Sequence, residues 1–240
     1  MKTTSAPLRE RATNKAKDIR HHIGVRLGGS ARAEREWKER GVDSSYWDSS
    51  GHPHRDLLVK EILSLNPTSV LEVGCNTGPN LLRLAKELPS ARLVGIDVSS
   101  AAIVEGTKRF KAAGIANVEL FEGKAEDLGR FADDSFDVVF TDAVLIYVGK
   151  DWIETVVGEM LRVANKAIVL VEYDDPESDP KGRFILKKGY WKRNYTRLFE
   201  GRSGVMSVET KRLTKELWDD EYWSTLGAVV KVYLKGDMCE

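Results

Sequence analysis

Val70-Leu71-Glu72-Val73-Gly74-Cys75-Asn76-Thr77-Gly78-Pro79-Asn80 is the stretch that decides the fold. Its first four residues form an apolar, partly β-branched run broken only by one acid, which suits a buried strand. Two spaced glycines follow, where backbone lacking a side chain can turn sharply and approach a ligand closely. Pro79 then stands where the first turn of a helix tolerates its missing N–H. A strand, a glycine turn and a helix in immediate succession present N–H groups to a polar or anionic ligand. Asp97 lies 19 residues past Gly78, ending the next apolar run. A nucleotide-binding unit places a carboxylate there, against ribose hydroxyls.

Outward from this stretch, helical and strand-like blocks alternate. The periodicity predicts helices over 55–65, 79–87, 99–113 and 151–163, with Asn66-Pro67 and Gly114 as stop signals. Strands are predicted over 69–73, 92–96, 118–121, 138–141 and 167–173. Such alternation argues for βαβ crossovers and a parallel sheet covered on both faces. Residues 205–213 and 228–234 read as strands with no convincing crossover between them, so an antiparallel pair finishes the sheet. Whether 214–223 between them is helix or loop stays open.

Composition sets the class. The chain has 240 residues, 42% hydrophobic and 31% charged, which excludes a wholly disordered protein and leaves ample material for a core. Thirty-seven basic residues balance thirty-seven acidic ones, which argues against a bulk nucleic-acid binder. Two cysteines, Cys75 and Cys239, are too few for a disulfide framework. No apolar run reaches the roughly 18 residues of a membrane span, and the opening stretch lacks a secretory pattern, so a cytoplasmic protein without integral membrane contact is expected. The charge is uneven. Residues 1–41 carry eleven Lys or Arg against five acids. They are read, with Gly28-Gly29 as a break, as a basic helical extension over 1–44 ahead of one domain over 45–240.

The motif and its surroundings resemble the class I S-adenosylmethionine-dependent methyltransferases. Glu72-Val-Gly74-Cys-Asn76-Thr-Gly78 resembles the family's first motif, with Asn76 in place of the middle glycine. Asp97, followed by Val98, matches its second acid. Gly123-Lys-Ala125-Glu126 is similar to its adenine-contact segment, with Lys124 where an acid is frequent. The resemblance implies a Rossmann-like, doubly wound, mostly parallel seven-stranded sheet with an antiparallel last strand and helices on both faces. It implies S-adenosylmethionine as cofactor. Asp97 would accept from the ribose hydroxyls, and Ala125 and Glu126 would meet the adenine. Glu72, Gly74, Asn76, Gly78 and Asn80 would contact the cofactor, the glycines letting the turn approach its methionine part and ribose. Asp142 would offset the sulfonium or hold the amino group, Arg55 the carboxylate, and Trp47 would lie over the cofactor. A dehydrogenase also owns a glycine turn and a ribose acid, but its turn reads Gly-x-Gly-x-x-Gly, and this one does not.

All four histidines, His21, His22, His52 and His54, precede the first strand. A histidine base for a hydroxyl acceptor must come from there, with His54 or His52 the candidates and helix capping the competing role. Tyr147 and Asp142 after strand four complete the catalytic candidates. No metal site is expected, although Asp174 and Asp175 keep a metal-assisted mechanism open. The mixed basic and aromatic stretch 174–204, including Lys181, Arg183, Tyr190, Trp191, Arg193 and Tyr195, is read as a substrate-side insert or lid. Short matches, among them Trp191-Lys-Arg193-Asn194-Tyr195, also resemble methylases of bacterial surface-sugar pathways. They imply O-methylation of a carbohydrate, with a lipid-like metabolite or a non-catalytic cofactor binder as alternatives. The sequence leaves oligomeric state open, a homo-oligomer included.

Overall fold

The computed structural model describes residues 30–40, 42 and 51–235. A helix over residues 30–39, α1, comes first. Then follow α2 (Pro53–Leu63), β1 (Ser69–Val73), α3 (Pro79–Glu87), β2 (Arg92–Asp97), α4 (Ser100–Ala112), β3 (Val118–Glu122) and β4 (Phe136–Asp142). A single 3-10 turn over Leu145–Tyr147 leads to α5 (Ile153–Val163), β5 (Ala164–Tyr173), β6 (Arg183–Ile185) and β7 (Tyr190–Lys192). The chain closes with α6 (Tyr195–Phe199), β8 (Val205–Arg212), α7 (Glu221–Leu226) and β9 (Gly227–Leu234). Trp47, His21, His22 and Cys239 lie outside the described residues, as do residues 1–29 of the basic extension.

The main sheet has seven strands in the order β3-β2-β1-β4-β5-β9-β8. Pairs from β3 through β5 are parallel, and β9 runs antiparallel to both β5 and β8. The expected fold class is therefore the one observed. Side chains alternate across the strands with period two. Leu71, Val94, Val139 and Ile168 enter one core layer with Val156, Val157 and Met160 of α5. Val70, Leu93, Val138 and Val169 enter the other with Leu58 and Ile62 of α2 and Leu81 and Leu84 of α3. Burial on both faces is what makes these strands read as near-continuous apolar runs. Strand order reverses between β1 and β4, and in open α/β sheets the crevice at the carboxyl ends of such strands is where ligands bind.

Three local points that the sequence reading misplaced or left open have physical causes. Helix α2 begins at Pro53, two residues early, because His52 acts as its N-cap through its ring nitrogen. Residues 221–226 are helical, started by Asp220, whose carboxylate accepts from the N–H groups of Tyr222 and Trp223. The third concerns 174–204. Its β6–β7 hairpin is half exposed, but Arg193 and Tyr195 are fully buried, and Leu198 and Phe199 join the core. Those residues are not a solvent-facing lid: Tyr195, Leu198 and Phe199 pack beneath the sheet, and the Arg193 guanidinium finds carbonyl partners inside.

Candidate active site

Glycine geometry builds the floor of the crevice. Gly74 has φ +79°, and a Cβ there would collide with Val144 Cγ2. No side chain fits between the turn and the segment after β4. Asn76, which stands where the resembled motif has its middle glycine, adopts φ +50° and locks itself by accepting the Thr77 N–H on its own amide oxygen at 2.8 Å. Asparagine is among the few side chains that tolerate this left-handed conformation. Asn76 thus takes a left-handed conformation of the kind glycine adopts freely.

Asp97 closes β2 with both oxygens engaged by backbone: Asn76 N–H donates to Oδ2 at 2.8 Å and Ser99 N–H to Oδ1 at 2.9 Å. Burial pushes its carboxyl up, against the pull of those two N–H groups. Each oxygen keeps a further lone pair for a hydroxyl donor.

Asp142, at the end of β4, anchors a buried polar cluster. Its Oδ2 accepts from Arg55 at 2.8 Å and Asn80 at 3.1 Å, and faces His54 Nε2 at 3.0 Å. Burial alone would raise this carboxyl, but His54, Arg55 and Asn80 outweigh it and hold it at about 2. Its Oδ1 has no partner although buried. An orphaned buried acceptor on a pocket wall is costly unless a ligand donor meets it. Behind it, Asn80 donates to Glu72 Oε1 at 2.7 Å while its own oxygen accepts from Arg55 at 2.6 Å. Burial drives the Glu72 carboxyl well above its ordinary value, favouring the neutral acid, and its Oε2 is likewise unpartnered.

The pocket above this floor is lined by Gly74, Asn76, Asp97, Val98, Ala125, Glu126, Asp142 and Tyr147. These eight are all sequence candidates. Glu72, Gly78, Asn80, Arg55 and His54 do not line it. They sit beneath or behind it, and Arg55, expected to hold a ligand carboxylate, is instead committed to Asn80 and Asp142. A buried guanidinium needs an anion, and Asp142 supplies one within the chain.

Sequence reasoning missed the roof. Ser30, Ala33, Glu34 and Trp37 of α1 cover the pocket, and Val144, Val148 and Trp152 complete its wall. Helix α1 is held at both ends. Ser30 Oγ accepts the Gly149 N–H at 2.7 Å and donates to Asp151 at 2.9 Å, Glu34 pairs with Lys124 at 3.1 Å, and Trp37 meets Tyr147 edge-on at 5.3 Å. The small stripe Ala33–Trp37, four residues apart on a polar helix, was the available signal.

Tyr147 also meets Tyr190 edge-on, and Trp218 stacks on both Trp223 and His54 at 4.0 Å. His54 Nδ1 lies 2.6 Å from His52 Nδ1, within hydrogen-bond distance. Burial and the neighbouring His54 lower the His52 pKa. Asp174 and Asp175 are engaged elsewhere, with Arg212 and Lys192. Among the described residues no group of three His, Cys, Asp or Glu side chains is placed to hold a metal ion, and no helix is long and apolar enough to cross a membrane.

Comparison with known proteins agrees with this geometry. Residues 70–167, from β1 into β5, match the family model described as a methyltransferase domain. A demethylmenaquinone methyltransferase of Bacillus velezensis is 36% identical over 110 residues, 45% of this chain and 46% of that protein. An uncharacterized protein of Rickettsia prowazekii is 30% identical over 115 residues, 46% of this chain and 44% of its own. The chain thus spans less than half the length of the curated relatives it matches. Among solved structures, a protein from Pyrococcus horikoshii OT3 superposes with a TM-score of 0.59 at 17% identity, covering 83% of this chain and 94% of that one. The [4+2]-cyclase SpnF also gives 0.59 at 17% identity, covering 75% and 81%. At such identities the likeness establishes the fold alone.

Proposed function

We propose that this protein, whose residues 70–167 match a methyltransferase domain, is a class I S-adenosylmethionine-dependent enzyme that methylates a hydroxyl of a small ring-shaped acceptor, in the first place a sugar or glycan precursor. The observation that carries the reading is the convergence of Asp97, the glycine turn and the orphaned Asp142 Oδ1 on one pocket at the β1/β4 crevice. Those residues fit the cofactor: an acceptor pair for a ribose diol, a turn with no room for a Cβ, and an unpaired anionic oxygen for an ammonium. S-adenosylmethionine, when bound, supplies an electrophilic methyl on a positively charged sulfur.

The chain's own residues do the remaining work. Asp97 orients the ribose, Ala125, Glu126 and Val98 flank the adenine, and Asp142 holds the amino group while its negative charge suits the sulfonium. Tyr147, flanked by Trp37 and Tyr190, offers flat faces for a ring. Deprotonation of a hydroxyl falls to the His52–His54 pair. His54 Nε2 faces ionised Asp142 and His54 Nδ1 lies against His52 Nδ1, so the pair is tied to a carboxylate through its ring nitrogens. This arrangement follows the logic of a base oriented by a carboxylate.

A second reading, an apolar aromatic acceptor, is favoured by the same ring faces and by the relatives described as demethylmenaquinone methyltransferases. Incubation with radiolabelled S-adenosylmethionine and panels of sugar nucleotides and naphthoquinols separates the two. Label on a sugar oxygen supports the first, and label only on a quinol supports the second. Failure of the protein to bind S-adenosylhomocysteine in calorimetry sinks both.

A further inference from the structure

The segment 143–148 after β4 is gripped through both its N–H groups and its carbonyls by residues that never reach the pocket it lines. Glu172, near the end of β5 and fully buried, accepts four hydrogen bonds. They come from Thr141 Oγ1 at 2.8 Å, the N–H groups of Val144 and Leu145 at 2.9 Å each, and that of Ile146 at 3.0 Å. Three consecutive backbone N–H groups converging on one carboxylate form an anion nest. The same segment is held through its carbonyls by the Arg193 guanidinium, also fully buried, which donates to Leu145 O at 2.7 Å and to Val148 O. Arg193 is delivered there by backbone pairing to the end of β5, its N–H donating to Tyr173 O at 3.1 Å. Between Thr141 and Val144, both held by Glu172, the chain carries a strained residue, Ala143, at φ +59°. A non-glycine residue holds such a conformation only where its surroundings over-determine it.

We propose that Glu172 and Arg193 are a clamp that presets Val144–Val148 as a wall of the cofactor pocket, making both of them positioning residues of the site. This inference rests on the cofactor reading above. Val144, Tyr147 and Val148 line the pocket, and Val144 abuts Gly74, so a lip that drifts displaces both the wall and its contact with the turn. The grip also has an ionic setting. Burial holds the Glu172 carboxyl up at about 7, opposed by the N–H groups of Leu145 and Val144, the Thr141 hydroxyl and the N–H of Ile146. Arg193, Tyr195 and Tyr173 are the other titratable groups facing it. The ionised form accepts all four hydrogen bonds, whereas the protonated form gives up acceptor capacity to its own hydrogen.

Two measurements on the full chain test the clamp. Glu172→Gln keeps the shape but turns an NH2 toward the Ile146 N–H, and Arg193→Lys keeps the charge but loses the second prong. In cofactor-free protein, hydrogen exchange at Val144, Leu145 and Ile146 should quicken by roughly tenfold in Glu172→Gln, with amides in α5 unchanged. S-adenosylhomocysteine should bind roughly tenfold more weakly, and the wild-type rise in affinity from pH 6 to 8 should flatten. Val157→Ala, a core truncation in α5, serves as a variant destabilised away from the lip and should bind normally. If Glu172→Gln does not fold, Arg193→Lys carries the test with the same expected directions. Folded variants whose lip amides and affinity match wild type overturn the clamp. Wild-type protein that binds no S-adenosylhomocysteine overturns the cofactor reading instead, and lip exchange then decides the clamp separately.

Discussion

Replacing Gly74 by alanine tests whether the turn and the lip behave as one body. The new Cβ would run into Val144 Cγ2 and stand 3.0 Å from Cγ1 and 3.3 Å from Cβ, on a backbone at φ +79°. The left-handed conformation costs an L-residue roughly 1–2 kcal/mol, and overpacking adds about 1–3 kcal/mol. Together these give roughly 2–5 kcal/mol, a large share of the 5–15 kcal/mol that typically holds a domain folded. In a chain of this size that lowers Tm by roughly 4–20 °C. Gly114 separates the two causes. It sits at φ +68° with nothing within 4 Å of an added Cβ, so Gly114→Ala should show the backbone cost alone. Adding Val144→Ala to Gly74→Ala removes both offending methyls and should recover about 1–3 kcal/mol. Urea unfolding of the wild type, Gly74→Ala, Val144→Ala and the double variant supplies the double-mutant cycle, with Gly114→Ala alongside. Gly74→Ala no worse than Gly114→Ala, or no recovery in the double variant, would refute the packing argument.

Asp97→Asn places an NH2 against the N–H of Asn76 or Ser99 and removes a charge-assisted acceptor, so S-adenosylhomocysteine affinity should fall by about tenfold or more in calorimetry; near wild-type affinity would end the ribose assignment. Asp142 is depressed from 3.8 to about 2, so its stabilising contribution is present above pH 3.8 and is lost as pH falls toward 2. That contribution is on the order of 2 kcal/mol by linkage, and Asp142→Asn should remove this pH dependence from urea midpoints measured between pH 5 and 2.5. His52 is lowered below 6.5, so neutral imidazole persists there, and methyl transfer to a hydroxyl should keep its rate below pH 6.5. His54→Gln removes the neighbouring charge that lowers His52 and should move that acidic limb upward; an unshifted kcat/KM profile would exclude the pair as the proton acceptor.

The sheet and the turn were legible because their causes are local. Burial on both faces writes itself into 70–73 and 138–141 as nearly unbroken apolar runs, and the positive-φ positions demand Gly74, Gly78 or a residue like Asn76. Asp97 and Asp142 were legible because each follows directly on a strand that places it. What stayed hidden depends on partners far along the chain. The Arg193 guanidinium looks like a surface cation until the carbonyls of Leu145 and Val148 surround it, 48 and 45 residues away. Glu172 reads as the end of a strand, since nothing in its neighbours announces that three lip N–H groups will converge on it. Arg55 sits on α2 facing Asp142, 87 residues later, which no spacing rule connects. The pocket-facing role of 30–39 was faint because most of that helix is polar, only Ala33 and Trp37 mark its inner face, and the contacts that hold it over the pocket are tertiary.

The helix over the pocket has a consequence for pace. Ser30, Glu34 and Trp37 grip three different neighbours, so this segment cannot swing aside on one hinge without releasing contacts along its whole length. Moving the helix off the pocket therefore means breaking these contacts together, and slow exchange of any ligand held beneath it is the expected outcome. Lys124 is half-exposed, so raising ionic strength should weaken its tether to Glu34.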